Sequence, residues 1–395
     1  NKLFLLDAYA LIYRAYYAFI KNPRINSKGF NTSAILGFVN TLEEVLKKEN
    51  PTHIGVAFDP AGPTFRHEAF EQYKAQREET PEAIRLSVPI IKEIIRAYRI
   101  PILEVAGYEA DDVIGTLATE AGRQGIITYM MTPDKDYGQL VSDKVFMYRP
   151  KHTGGFEVMG VDEVKAKFDI QSPAQVIDML GLMGDSSDNI PGCPGVGEKT
   201  AQKLIAEFGS IENLLEHTDQ LKGALKTKVE TNREMITFSK FLATIKIDVP
   251  IQLDMDSLVR EQADEDSLRQ IFEELEFRTL IDRVLKKENA GNGITTPTGN
   301  KTAAEKSNLA PLPLFPEEGG AVQGDLFANF TGNEPGEAKN SNLATLETLN
   351  CDYQLIDTEE KRTKIIQKLL TSKILSLDTE TTGTEPMDAE LVGMS

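Results

Sequence analysis

Three apolar runs, each closed by acid, constrain this chain most. "NKLFLLDAYA" ends its apolar stretch at Asp7, "THIGVAFDPAG" at Asp59, and "GIITYMMTPDKD" at Asp134 and Asp136. Runs of this composition are buried on both faces, and helical segments alternate with them. The pattern predicts an α/β fold with a mostly parallel central sheet flanked by helices. Ligands of such sheets gather outside the carboxyl ends of the strands. A single Asp after a strand is ordinarily a turn or cap residue. Three in the same position relative to their strands bring carboxylates to one edge.

More acids come from helix starts. "GYEADDVIGTLATEAG" opens a predicted helix with Glu109, Asp111 and Asp112. Glu109 and Asp112, three apart, share a face, while Asp111 points aside. The helix dipole favours acids there by about 0.3–1 kcal/mol each, so this segment alone also reads as an ordinary helix start. Asp185 and Asp188, again three apart, complete a set of nine carboxylates. Like charges that close cannot all ionise without compensation. Divalent cations compensate them, and all-oxygen ligation points to Mg²⁺ or Mn²⁺ instead of zinc. Two such ions about 3.5–4 Å apart are the arrangement that cleaves phosphodiesters. The sequence offers neither a Ser-His-Asp set nor a Cys–His pair, and its four histidines are scattered.

"DSSDNIPGCPGVGEKTAQKL" has the glycines and the Lys199–Thr200 pair of a loop that holds phosphate. It is not a P-loop, because Glu198 separates Gly197 from Lys199 and no strand precedes it. The dinucleotide fingerprint fails for lack of a third glycine. A hairpin between two helices remains. "SPAQVIDMLGLMG" is the first helix, with Ser172 as N-cap and Pro173 at its first position. "EKTAQKLIAEFG" is the second, with Ala201, Leu204, Ile205 and Phe208 on one face and Gly209 as its stop. Lys199 and Lys203 lie one turn apart towards the solvated side. Gly195 and Gly197 let the backbone approach an anion beside a helix N-terminus. That suits a phosphodiester backbone; a plain helical connection with surface lysines is the other reading.

At 395 residues the chain has room for two or three domains. It has no run of 18 apolar residues and no secretory leader, so a membrane span is not expected. Cys193 and Cys351 form no CxxC pair, which fits a reducing cytoplasm. The net charge of −18 opposes nucleic acid as a partner, unless much of the excess sits in a metal site where cations cancel it.

"FLLDAYALIYRAYYAF", "VAFDPAGPTFRHEAFEQYKAQR", "YEADDVIGTLA", "TPDKDYGQLV" and "GLMGDSSDNIPGCPGVGEKTAQKL" together resemble the 5′-nuclease domains of the flap endonuclease family that head bacterial DNA polymerase I. The likeness runs over roughly residues 1 to 285, with five motifs in the family's order. It implies a structure-specific 5′→3′ exonuclease and flap endonuclease that removes RNA primers and displaced strands in replication and repair. By the same resemblance all nine acids match metal-binding positions, and Lys74 and Arg77 match a basic helical arch over the active site. Gly195, Gly197 and Lys199 match a helix–three-turn–helix hairpin, which in the family also holds K⁺ through backbone carbonyls. Arg14 and Tyr17 fall on a helix that helps hold the nucleotide at the cut, whereas Tyr9, Tyr13 and Tyr16 are read as core packing. Ala8 and Pro133 stand where the family often has glycine; neither change removes a ligand. "FRHEAFEQYKAQREETPEAIR" holds about as many acids as bases, so a solvated mixed-charge helix is the other reading of the arch.

The expected organisation is an α/β catalytic domain over 1–165, a helical DNA-binding subdomain over 166–287 and a flexible Gly/Pro-rich linker over 288–343. The last of the helical subdomain places Leu268, Ile271, Phe272, Leu275 and Leu280 on a buried face. From 344 the start of a 3′→5′ exonuclease-like domain is expected, because "KILSLDTETTG" sets Asp378 and Glu380 two apart on one strand face. At about 50 residues that piece is too short to bury a core unaided. In the linker, Gln323, Leu326 and Phe327 resemble the Q-x-x-L-F peptide with which bacterial replication proteins engage the sliding clamp; chance, or packing back on a domain, is the alternative. Two other functions compete with the nuclease: a DNA-binding module without activity, and a phosphoryl-transfer hydrolase with a nucleophilic Asp. The hydrolase would want an acid two residues after Asp7, where Tyr9 stands. The chain is expected to be monomeric and nucleoid-associated.

Overall fold

The computed structural model describes residues 1–151, 155–285, 358–370, 379–381 and 391–394. Its first half alternates as the apolar runs predict: β1 (Lys2–Asp7), α1 (Ala8–Ala18), α2 (Ser33–Lys48), β2 (His53–Ala57), α3 (Phe65–Ala69), α4 (Glu82–Ala97), β3 (Ile102–Leu103), α5 (Ala110–Arg123), β4 (Ile127–Met131), β5 (Val145–Pro150) and β6 (Phe156–Met159). The sheet order is β3-β2-β1-β4-β5-β6, with every pairing parallel except β5 with β6. Leu5 of β1 lies opposite Gly55 of β2 on one side and Met130 of β4 on the other. The three strands with acids at their ends are therefore neighbours. The chain winds outward from β1 to β3 and then returns to set β4 on β1's free side. Asp7 and Asp134 thus flank the point where strand order reverses, which is where such sheets open a ligand crevice.

β1 is buried on both faces. Leu3 and Leu5 enter one core with Val113, Leu117 and Met130, while Phe4 and Leu6 enter a second with Phe38, Leu42 and Ile91. The helical half continues with α6 (Val161–Phe168), α7 (Gln175–Met183), α8 (Glu198–Phe208), α9 (Ile211–Glu216), α10 (Gly223–Thr231) and α11 (Arg233–Ala243). Val176, Leu180, Leu204 and Ile205 join the same core as Leu3 and Leu5, so the α/β and helical parts share one apolar interior. α12 (Glu265–Glu274) and α13 (Arg278–Val284) return to the sheet's other face. Of their predicted face, Leu268, Phe272, Leu275 and Leu280 are buried and Ile271 is half-buried.

Two local expectations change. α7 starts at Gln175 with Ala174 as N-cap, because Gln175 Oε1 accepts the Gln171 and Ser172 amides and holds residues 171–174 in a preceding turn. The arch segment is not a helix. α3 stops at Phe70, which is extended, residues 71–77 form turns, and Lys74 lies in the left-handed region at φ 56°.

Residues 330–395 cluster separately from 1–329. There, α14 (Glu359–Leu370) and an antiparallel pair, β7 (Thr379–Thr381) with β8 (Leu391–Met394), are described. The linker, the clamp-like residues Gln323, Leu326 and Phe327, Cys351 and Asp378 lie outside the described residues. Among the described residues no helix is long and apolar enough to cross a membrane.

Candidate active site

The acids meet at the carboxyl edge of β2, β1 and β4. Asp7 is the last residue of β1, and its Oδ1 caps α1 by accepting the Ala10 amide at 3.1 Å. Its Oδ2 accepts from Thr132 Oγ1 (3.2 Å) and Tyr137 Oη (3.1 Å), tying β1 to the turn after β4. Asp59 Oδ1 accepts the Ala110 amide at 2.7 Å, tying the end of β2 to the start of α5. Asp134 caps the 3₁₀ turn Lys135–Leu140 through the Asp136 amide at 2.9 Å. Lys135 reaches Asp185 at 2.8 Å and so joins that turn to the start of the hairpin.

Burial and then the neighbouring Asp59 push the Asp7 carboxyl up to about 7. Burial and Asp112 push Asp111 well above the usual carboxylate range. Burial, followed by Asp134 and Asp185, does the same to Asp136. Asp136 Oδ1 is buried without a hydrogen-bond partner. These are carboxylates gathered without enough positive charge between them.

Around Glu109 the compensation is complete. Burial works against the Glu109 charge, yet Lys74 and then Arg66 outweigh it and hold the carboxyl below its ordinary value. Lys74 Nζ lies 2.5 Å from Glu109 Oε1 and 3.7 Å from Asp188 Oδ2, and Arg77 Nη2 lies 2.5 Å from Asp188 Oδ1. The two expected arch cations therefore rest on the acids. Positive φ at Lys74 is held by its amide, which donates to the Asp188 carbonyl at 3.0 Å.

Asp112 is different in kind. It is fully buried, and four donors fill its oxygens: Arg66 Nη2 (2.8 Å) and the Lys246 amide (2.8 Å) on Oδ1, Arg66 Nη1 (2.9 Å) and the Glu109 amide (3.1 Å) on Oδ2. Arg66 has its remaining N–H groups on Glu109 Oε2 (2.7 Å) and on the Leu242 (2.9 Å) and Thr244 (2.8 Å) carbonyls, so all its donors are used. Glu109, Asp111 and Asp112 offer oxygens within 4.8 Å of one another, but those of Asp112 are already taken.

Sequence reasoning did not single out Arg66, because "FRHEAF" reads as surface helix. It also passed over Tyr73, whose hydroxyl donates to Glu109 Oε2 (3.0 Å) and lies 3.2 Å from Asp188 Oδ2. The available signal was the surplus of acid itself, which calls for internal cations as well as metal.

The hairpin between α7 and α8 spans residues 184–197, with a 3₁₀ turn at Ser186–Asp188. Gly184 and Gly192 cross closely there. A Cβ on Gly192, at φ +62°, would stand 2.3 Å from the Gly184 nitrogen. The Gly192 amide donates to Ser239 Oγ of α11 at 2.9 Å. Gly195 has φ +74° and its carbonyl accepts from Lys228 Nζ at 3.3 Å, whereas Gly197 caps α8 with an ordinary φ and faces open space. Lys199 and Lys203 are exposed and Thr200 is half-buried. On α1, Arg14 Nη2 donates to the Lys151 carbonyl at 3.1 Å. Tyr9, Tyr13 and Tyr16 pack against the core, while Tyr17 stacks on Tyr13 at 6.3 Å.

The family described as 5′-3′ exonuclease, N-terminal resolvase-like domain, matches residues 2–169, and its partner, the C-terminal SAM fold, matches residues 171–266. The chain belongs to the 5′-3′ exonuclease family. DNA polymerase I of Bacillus caldotenax is 42% identical over 287 residues, covering 72% of this chain and 32% of that protein. DNA polymerase I of Chloroflexus aurantiacus is 35% identical over 396 residues, covering 100% of this chain and 40% of its own length. The chain therefore spans about a third to two fifths of these relatives. In fold it is similar to the 5′-exonuclease of bacteriophage T5 with bound zinc (TM-score 0.54, 20% identity, 70% of this chain and 99% of that one). It is also similar to the T5 flap endonuclease in a pseudo-enzyme–product complex with DNA and metal ions (TM-score 0.52, 21% identity, 70% and 100%). The acids that follow β1, β2 and β4, those that open α5 and those of the hairpin lie near one another at the switch point of the sheet.

Proposed function

We propose that this chain is the 5′-nuclease part of a DNA polymerase I and hydrolyses phosphodiesters at the base of a displaced 5′ strand. The observation that carries this reading is the set of under-compensated carboxylates at the switch point, buried at Asp7 and half-buried at Asp111 and Asp136, with an Asp136 oxygen that lacks a hydrogen-bond partner. The donor set is all oxygen and fits a hard divalent ion, Mg²⁺ or Mn²⁺. Two such ions would supply positive charge at the ester oxygens and an acidified water. Asp7, Asp59, Glu109, Asp111, Asp134, Asp136, Asp185 and Asp188 would hold them, directly or through water. Asp112 is assigned with Arg66 to positioning, since its oxygens have no capacity left.

The chain's own cations do the rest. Lys74 and Arg77 now neutralise Glu109 and Asp188; relieved of that task, they face the non-bridging oxygens of the phosphate to be cut. Arg14 and Tyr17 flank the nucleotide along α1. Gly195, Gly197, Lys199, Thr200 and Lys203 hold the duplex backbone, which presents phosphates of any sequence. A K⁺ shared between hairpin carbonyls and DNA would compete with Lys228 for the Gly195 carbonyl. Contact with a sliding clamp through Gln323, Leu326 and Phe327, a monomeric state, and a cytoplasmic, nucleoid-associated setting complete the proposal. Roles in primer removal and repair belong to the longer polymerase.

A nicked duplex with a 5′ flap, incubated with and without Mg²⁺, tests the reading. Cleavage near the flap base that leaves a 5′-phosphate and needs the metal is expected. Hydrolysis of phosphomonoesters with flaps left intact would reject it in favour of a phosphatase. Flap binding without any cleavage would favour the inactive DNA-binding module.

A further inference from the structure

The hairpin between α7 and α8 is completed by a lysine from another helix. Gly195, Gly197 and Lys199 are exposed, and so is Lys228 of α10. Lys228 Nζ donates to the Gly195 carbonyl at 3.3 Å across 33 residues of sequence. Its stem follows the glycine closely: a Cβ on Gly195 would stand 2.4 Å from Nζ, 3.3 Å from Cε and 3.9 Å from Cδ. Glycine is needed at 195 for its φ of +74° and also to leave room for this side chain. The contact is anchored from behind. Val229, the next residue of α10, is fully buried in one core with Cys193 and Val196 of the hairpin. The Lys228 carbonyl accepts the Asn232 side-chain amide at 2.8 Å and lies 3.9 Å from the Cys193 sulfur.

No acid draws Lys228 there. Lys226, on the same helix, lies 3.8 Å from Glu230, whereas Lys228 makes no ion pair among the described residues. An exposed carbonyl carries partial negative charge and repels a phosphate; an ammonium set on it reverses the sign at that point. Lysine has three N–H donors and no acceptor, so one donor on Gly195 leaves two for an anion. A lysine also loses rotamer freedom when it takes a ligand, and one already held by a carbonyl has less to lose. A K⁺ bound through hairpin carbonyls needs the oxygen that this ammonium covers. The residues present therefore do not fit a separate K⁺ at Gly195.

We propose that Lys228 is the resident cation of the hairpin: its ammonium covers the Gly195 carbonyl in place of a bound K⁺ and donates its remaining N–H groups to a backbone phosphate of the duplex. This rests on the reading of the hairpin as a duplex-binding element. Lys228 is a binding and positioning residue, supplied by α10 to a loop whose own side chains at 195 and 197 are absent. It adds a phosphate contact to those of Lys199 and Lys203, and it ties α10 to the DNA as well as to the hairpin.

The full chain with Lys228→Met, which keeps the stem and removes the charge, and with Lys228→Arg, which keeps the charge, tests this. Affinity for a labelled 5′-flap duplex is measured in EDTA across matched KCl and NaCl series, and cleavage kinetics in Mg²⁺. Lys228→Met should bind roughly three- to tenfold more weakly, with its slope of log affinity against log salt lower by about 0.9, one phosphate contact. The loss should appear in KM and not in kcat. Lys228→Arg should keep the wild-type slope, a rescue that a merely structural lysine would not give. Wild-type affinity should be the same in KCl and NaCl. Tighter wild-type binding in KCl, retained in Lys228→Met, would mean that a bound K⁺ holds the carbonyl and would overturn the proposal. A wild-type slope in Lys228→Met, with wild-type cleavage intact, would also overturn it and leave the nuclease reading standing. A flattened slope in Lys228→Met, beside a wild-type chain that cleaves nothing, would support the Lys228 contact and remove the nuclease reading.

Discussion

A buried arginine divides the nine acids into two kinds. Asp112 answers Arg66 with both oxygens, while Asp111, one residue earlier, has only the Asp112 amide at 2.7 Å on Oδ1 and Arg66 no closer than 3.9 Å. Neighbouring residues of the same type should therefore fail differently. Asp111→Ala removes a crowded charge: turnover should fall by orders of magnitude while the melting temperature holds or rises and DNA affinity stays close to wild type. Asp112→Ala leaves a buried guanidinium without its main partner, a change that costs about 3–5 kcal/mol, and its melting temperature should drop. A normal melt for Asp112→Ala with activity alone lost would place Asp112 among the ligands. Arg66→Lys keeps one charge but loses the fork that holds Glu109, Asp112 and two carbonyls together. Direct Mn²⁺ titration should show metal affinity lower by roughly 10–100-fold, the range for removing a group that orients a ligand. Unchanged Mn²⁺ affinity would reduce Arg66 to a packing residue.

At the scale of elements, legibility in the sequence followed the physics that made each element. The parallel sheet was readable because β1 and β2 are buried on both faces, β4 is buried on one and half-buried on the other, and acid ends or closely follows each strand, and both features are local. The faces of α8 and α12 were readable from 3.6-residue spacing. The arch was not, because its shape comes from contacts distant in sequence: Lys74 and Arg77 turn down onto Glu109 and Asp188, and those ion pairs outweigh the helical propensity of "EQYKAQREE". Arg66 was hidden for the same reason, its partners lying at 109, 112, 242 and 244. The hairpin offers an element-scale test. Gly192→Ala forces a Cβ onto the Gly184 nitrogen at positive φ, so the variant should lose roughly 1–3 kcal/mol of stability. Gly197→Ala faces open space, and thermal melts should show a loss of no more than about 2 kcal/mol for a changed cap. Its duplex affinity should fall if backbone approaches phosphate there; full affinity would remove Gly197 from the contact. Lys199→Ala should weaken binding to all duplex sequences alike and flatten the salt slope by about one phosphate. Loss confined to some sequences would contradict a backbone role.

For the whole molecule the central fact is charge. The net charge of −18 includes acids concentrated at one edge of a sheet whose two cores close over residues 3–285. Lys74, Arg77, Arg66 and Lys135 neutralise part of that edge, and the raised Asp7, Asp111 and Asp136 mark the part they leave. A native state that stores this repulsion is stabilised by whatever cation fits between the carboxylates, since the unfolded chain spreads the same acids apart. Mg²⁺ at about a hundredfold excess over its Kd should add about 2.7 kcal/mol of stability and raise the melting temperature by several degrees. NaCl at equal ionic strength only screens and should produce a clearly smaller rise. With Asp134→Ala and Asp136→Ala combined, the repulsion and the ligands go together: the metal-free protein should melt at or above wild type and respond weakly to Mg²⁺. Equal stabilisation by NaCl and Mg²⁺, or an undiminished Mg²⁺ response in that variant, would mean that the acidic edge is only a charged surface and not a place built for divalent ions.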